Sequence, residues 1–140
     1  SDIWTLQDLA GKRISVQATS KPEEVLLDGD DPEIPEIGTV YSMSTMEELY
    51  ASLRKEYTDA IAGHKSALNT FVQSDPNAYR MLDQSLYISE LGVAFQKGTN
   101  AELAEKLTDT LREMQTDGTM QTILHKYGLE SDMIVEGAEP

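Results

Sequence analysis

The 140-residue chain contains no cysteine, so disulfide staples, thiol nucleophiles and thiolate metal sites are all excluded. Histidine is almost as scarce. His64 and His125 stand far apart and in neither an H-x-x-x-H nor an H-E-x-x-H frame, which argues against a zinc hydrolase. Positive charge is short as well: 11 Lys plus Arg against 25 Asp plus Glu give a formal charge of -14. Such a surface repels phosphate backbones and anionic membrane faces, so no nucleic-acid partner is expected. Long apolar runs are missing, Val25-Leu26-Leu27 and Met133-Ile134-Val135 being among the longest, far below the ~20 residues of a membrane span. Ser1-Asp2-Ile3-Trp4 has neither the basic nor the apolar region of a signal peptide; if the protein is exported, that segment lies outside this sequence.

Other signatures fail on particular residues. The first strand-to-helix turn, Ala18-Thr19-Ser20, has no glycine, so no phosphate loop and no nucleotide are implied. No G-x-S-x-G elbow occurs. Asp28-Gly29-Asp30-Asp31-Pro32-Glu33 faintly resembles a calcium loop but lacks the glycine at its sixth position and the acid at its twelfth, where Thr39 stands. A solvated acidic loop is expected instead, with no metal and no cofactor.

What is present is a globular composition, 39% hydrophobic and 26% charged, with room for one domain or for one lobe with appendages. Thr5 with Asp8 marks a capped turn closed by Gly11, and Arg13 to Gln17 alternates as a strand. Ser20 with Glu23 has capping-box spacing, and Pro22 fits the first turn, so a helix starts here. Seven acids and no base between Glu23 and Glu36, with Gly29, Pro32 and Pro35, keep that helix short.

Ile37 to Met43 is expected as a second strand. Ser44 with Glu47 predicts a cap for a helix reaching about Lys55, Thr58 to Ala62 a short buried strand, and His64 to Val72 a helix ended by the Ser74-Asp75-Pro76-Asn77 turn. Leu86 to Ile88 and Leu91 to Gln96 look strand-like. After Asn100 comes a long helix with Leu103, Leu107, Leu111 and Met114 in one stripe, then Asp117-Gly118 and a last helix from Thr119 to Tyr127. Alternating strands and helices predict an α/β fold, a parallel-type sheet flanked by helices, with C-terminal helices and an acidic tail from Glu130 to Pro140.

The chemistry narrows to the turn from Ala18 to Lys21. Unsatisfied N–H groups and the dipole at a helix start favour an anion, and Thr19 and Ser20 add hydroxyl donors. The residues alone leave a simpler alternative, and a stronger one, in which Ser20 only caps its own helix and Glu23 and Glu24 already complement the dipole.

Asp8-Leu9-Ala10-Gly11-Lys12-Arg13-Ile14-Ser15-Val16-Gln17 resembles the opening of the second lobe in extracytoplasmic solute-binding proteins of family 3, the amino-acid-binding components of ABC importers. Glu47-Glu48-Leu49 through Thr58-Asp59-Ala60-Ile61 is similar to that family's following helix and strand. Leu91 to Gly98, Glu102-Leu103, Asp117-Gly118-Thr119, Ile123 and Lys126-Tyr127 resemble its ending, so the likeness covers nearly the whole chain in order.

The resemblance implies one lobe of a type II periplasmic-binding-protein fold with the other lobe largely absent. Residues 1–89 would be lobe two of the solute-binding domain, 90–129 a hinge strand and helices returning toward lobe one, and 130–140 a flexible acidic tail. It implies a ligand site made of Gln17, Thr19, Ser20, Lys21, Gly63 and His64, with the turn receiving the solute's carboxylate and His64 standing where the family places an ammonium-binding aspartate. Asp59 matches a structural aspartate of the strand. A neutral or positive His64 removes the charge that selects an α-ammonium group, favouring a solute without one.

The expected function is extracytoplasmic binding of an amino acid or related small carboxylate for import, with a small-molecule ligand and a membrane permease as partners and no catalysis. The alternatives are the sensing domain of a membrane receptor and a binding-incompetent interaction module. The apolar stripe from Leu103 to Met114 should be buried, either by folding back on lobe two or in a homodimer through the C-terminal helices.

Overall fold

Ile14 and Val16 point to one face of β1 (Arg13–Gln17) and Ser15 to the other, and all three are sealed from solvent at 1%, 0% and 0% exposure. Burial on both faces is the mark of a central strand. In the computed structural model, which describes residues 2–88 and 92–129, β1 lies between β2 (Thr39–Met43) and β3 (Ala60–Ala62) in a parallel sheet ordered β2-β1-β3. Arg13 aligns with Thr39 and Gln17 with Met43 on one side; Ile14 aligns with Ala60 and Val16 with Ala62 on the other.

Parallel neighbours need crossovers, which α1 (Lys21–Asp28) and α2 (Met46–Arg54) supply. The two helices cover opposite faces of the sheet. Leu26 of α1 joins Ile14, Val16, Ala62 and the N-terminal Ile3, Leu6 and Leu9 in one core cluster, each large apolar side chain contributing about 1.5–3 kcal/mol by burial. On the other face Ser52 of α2 lies 3.1 Å from Ser15, Oγ to Oγ, beside the wholly buried Leu49. Ser52 Oγ donates to Leu49 O at 2.7 Å and sits 3.1 Å from Thr58 Oγ1, so three buried hydroxyls satisfy one another. The chain continues into α3 (Lys65–Ser74), whose Phe71 stacks on Tyr50 with ring centroids 4.4 Å apart.

The helix starts follow local chemistry more finely than spacing alone. The expected Ser44/Glu47 cap is replaced by Thr45 and Glu48: Glu48 N–H donates to Thr45 Oγ1 at 3.2 Å, and Glu48 Oε2 accepts from the N–H groups of Ser44 at 2.9 Å and Thr45 at 3.2 Å. β2 runs to Met43, so Ser44 serves as the exit from the strand and the cap falls one residue later. Ser20 is the N-cap of α1, but its hydroxyl donates to Gln17 O at 2.6 Å and makes no capping bond to the helix.

Asp59 is tied to Arg13 by a two-pronged ion pair, with Arg13 Nη2 donating to Oδ1 at 2.7 Å and Nε to Oδ2 at 3.1 Å. Residues 79–88 run back to the N-terminal 3-10 turn Leu6–Leu9. Arg80 donates to Ile3 O and lies 3.6 Å from the centre of the Trp4 ring, and Leu6 N–H donates to Gln84 Oε1 at 2.8 Å. Leu86 to Ile88 is therefore irregular, not the strand expected, because the sheet β2-β1-β3 gives it no ladder.

Contacts divide the chain into two units, Ser1–Ile88 and Ser89–Pro140. In the second, α4 (Ala101–Thr116) and α5 (Thr119–Lys126) form around the Asp117-Gly118 break, where Gly118 takes the left-handed φ of 84°. Gly92 to Gln96 form no strand, since no ladder partner lies beside them among the described residues, while Leu91 lies outside the described residues. So does the tail from 130 to 140. Along the α4 stripe Leu103 is 55% and Leu111 39% exposed, Leu107 and Met114 are half-buried, and no residue of α4 is fully buried among the described residues.

Candidate functional site

Because β1 and β3 are parallel and Val16 pairs with Ala62, whatever follows each strand emerges at the same edge of the sheet. Gln17 ends β1 and leads into Ala18-Thr19-Ser20-Lys21; Gly63 and His64 follow β3 directly. All six residues expected at a ligand site thus stand at the carboxyl edge of two neighbouring strands. The end of β2 joins them, since Ala18 N–H donates to Met43 O at 2.8 Å. The chain leaves β1 toward the α1 face and reaches β3 from the α2 face, which makes this gap the switch point where open α/β sheets hold ligands.

Thr19 turns the corner in the left-handed region, with φ of 58°, a conformation that strains a β-branched residue. It is held there by its hydroxyl, which donates to Ala18 O at 2.7 Å, and by its N–H, which donates to Glu23 Oε2 at 2.6 Å. The second carboxylate oxygen of Glu23 accepts from Ser42 of β2. Lys21 Nζ donates to Glu24 Oε1 at 2.5 Å and lies 5.3 Å from the centre of the Tyr87 ring; the bond to Glu24 is the main reason its ammonium holds its proton more tightly than usual.

On the other side, Gly63 is half-buried, and a Cβ added to it would rest in ordinary contact, 3.6 Å from Leu68 and 3.9 Å from Met46. His64 is exposed and is the N-cap of α3, with no side-chain bond to the helix, and the first turn of α3 carries no acid.

Three participants were not expected from sequence. Ser42 and Tyr87 carry no local signal, because each reaches the corner from a distant stretch of chain. Glu23 had one, its capping-box spacing, but its carboxylate binds Thr19 N–H one residue earlier than that pattern implies. A cavity of about 420 Å³ lies elsewhere, at the opposite end of β2, lined by Leu26, Leu27, Ile34, Ile37, Thr39 and Val40 among others. Among the described residues no group of three or more acids or histidines could hold a metal ion, and no helix is long and apolar enough to cross a membrane.

No family model matches the chain. Individual relatives do. It is 25% identical over 127 residues to the putative ABC transporter arginine-binding protein 2 of Escherichia coli strain K12, a match covering 88% of this chain and 50% of that protein. It is 30% identical to the L-cystine-binding protein TcyJ of the same organism over 128 residues, 89% of this chain and 45% of TcyJ. Among solved structures, an ancestral arginine-binding protein bound to glutamine superposes with a TM-score of 0.67 and 28% identity over 93% of this chain and 56% of that one. The chain spans about half the length of these relatives.

Parallel sheet, flanking helices and a carboxyl-edge switch point define the class as a periplasmic-binding-protein fold, represented here by about half of it. Over about nine-tenths of its length the chain is similar to amino-acid-binding proteins of ABC transporters, consistent with the family 3 resemblance of its sequence, and these relatives are named for what they bind.

Proposed function

We propose that this chain is lobe two of a solute-binding domain and holds a small amino-acid-like solute at the carboxyl edge of its sheet, outside the cytoplasm, for delivery to the permease of an ABC importer. The observation that carries this is the juxtaposition of the turn after β1 with the segment after β3, fixed by the pairing of Val16 with Ala62. The relatives support it through their names, which state arginine and L-cystine as ligands. Gln17, Thr19, Ser20 and Lys21 would form one wall of the site and Gly63 and His64 the other. The work is binding alone: rigid strands fix the two walls, and the solute bridges them.

Thermal unfolding of the chain in the presence of single amino acids and small carboxylates tests the proposal. A solute at a hundred times its dissociation constant adds about 2.7 kcal/mol to the folded state, a rise in midpoint that is easily resolved. A midpoint unmoved by every compound would refute solute binding by this chain and favour an interaction module.

A further inference from the structure

We propose that the groove between α1 and β2, at the end of the sheet opposite the solute edge, docks a basic segment of a partner protein, taking its apolar side chains while its lysine or arginine residues meet the acidic loop. This surface lies outside the solute site proposed above and does not depend on it.

The groove has an apolar interior. Leu26 near the end of α1, Ile34 and Ile37 of the following loop and Val40 of β2 line a cavity of about 420 Å³. Ile34, Ile37 and Val40 pack against the core cluster that contains Leu26, so the floor is continuous with the folded body. Leu27 lines the groove too and is 60% exposed, a large apolar side chain left at the solvent boundary. The volume falls within the roughly 300–1,000 Å³ of cavities that admit ligands, room for a few side chains and not for a whole element.

The charge of the occupant follows from what surrounds this interior. Between Glu23 and Glu36 stand seven acids and no base, and five of them, Asp28, Asp30, Asp31, Glu33 and Glu36, fall on the stretch that ends α1 and runs toward β2. Glu36 lines the groove, and Asp28, Asp30 and Glu33 are direct chain neighbours of lining residues. All five are exposed, and none forms an ion pair among the described residues. The bases closest to this end are engaged elsewhere: Lys21, which opens α1, pairs with Glu24, and Lys12, whose backbone oxygen accepts from Gly38 N–H, pairs with Asp2. The carboxyl end of α1 adds the negative end of its dipole, with no base in the last turn to offset it. An acidic partner would enter against this field; a basic one enters with it. Shape selects apolar side chains, and charge selects their neighbours.

The test follows the backbone amides of the 15N-labelled chain, at matched ionic strength, with three acetylated and amidated pentapeptides, KLKLK, KSKSK and ELELE. KLKLK should move the Leu27, Ile37 and Val40 amides saturably and bind about ten-fold more tightly than KSKSK, which has the same charge and no apolar side chain. ELELE should leave these amides in place. Leu27→Ser, at an exposed position, should weaken KLKLK about five-fold by removing part of the apolar contact, and Glu36→Gln about three-fold by removing one charge. Asp30→Asn combined with Glu33→Gln gives the charge readout if Glu36→Gln does not fold. Equal affinity for KLKLK and KSKSK, or KLKLK binding untouched by Leu27→Ser, would reduce the surface to diffuse attraction and overturn the proposal. Shifts centred on Thr19 and the carboxyl edge would overturn it as well. Butylguanidinium saturating the same amides as tightly as KLKLK would make the groove a small-molecule site and not a docking surface. No saturable movement of these three amides by KLKLK would overturn the proposal outright.

Discussion

Replacing Asp59 by asparagine tests the joint that fixes β3 against β1. The Asp59 carboxylate accepts from Arg13 Nη2 at 2.7 Å, Nε at 3.1 Å and backbone N–H at 2.9 Å, and Asp59 N–H donates to Arg13 O at 2.8 Å. The guanidinium first, and the Arg13 N–H second, hold its carboxyl at about 2 against an ordinary 3.8. Taken alone, that depression corresponds to about 2 kcal/mol of folding stability. The Arg13 side chain is 45% exposed, so solvent screening reduces the net contribution to about 1 kcal/mol. The folded pKa is lowered, so the contribution is complete above the unfolded value near 4 and disappears as pH falls toward 2. Urea unfolding followed by far-ultraviolet circular dichroism should show Asp59→Asn about 1 kcal/mol less stable at neutral pH with an unchanged slope. The gap between the two proteins should narrow below pH 4 and close near pH 2. Equal stabilities at neutral pH, or a gap that persists undiminished at the acid end, would refute the account.

Two further substitutions probe the scaffold of the site. Thr19→Gly relieves a left-handed β-branched residue at φ of 58° while loosening the unfolded chain; with a strain of about 1–2 kcal/mol against an entropy loss of about 0.5–1 kcal/mol, a net gain of roughly 0.5–1 kcal/mol should raise the thermal midpoint, and a fall would show that its hydroxyl bond to Ala18 outweighs the strain. Ser52→Ala strips the central member from the buried Ser15, Ser52 and Thr58 hydroxyls and should cost about 1–3 kcal/mol in chemical denaturation, whereas a neutral effect would mean that the remaining pair finds other partners.

Much of the first unit was readable because its signals are local. The alternation of Arg13 to Gln17 and the glycine and proline breaks from Gly29 to Pro35 each act within a few residues, the first producing β1 and the second keeping α1 short. Thr45 in place of Ser44 illustrates the limit of such signals. Both residues have a glutamate three positions on, and only the length of β2, set by pairing with β1, decides between them. The failures at Leu86 to Ile88 and at Gly92 to Gln96 have one cause. Apolar alternation describes a segment able to join a sheet, but the ladder that makes it a strand depends on a neighbour. Tyr87 was invisible as a companion of Lys21 for the same reason, since only the strap that Arg80 and Gln84 fasten to the N-terminal turn carries it there.

Helix capping and the charge of this edge turn out to be one problem. In a parallel sheet every helix that follows a strand starts at the carboxyl edge, so α1, α2 and α3 all begin where a solute would sit, each with the positive end of its dipole there. Glu23 answers that charge at α1 and Glu48 at α2, both by accepting backbone N–H groups just ahead of the helix. α3 has no such acid and opens instead with His64 and Lys65. The edge is consequently acid-complemented on the β2 and β1 side and left positive beyond β3. Glu23, placed in the sequence as a sign of where a helix begins, thereby offsets the positive charge that α1 brings to this edge.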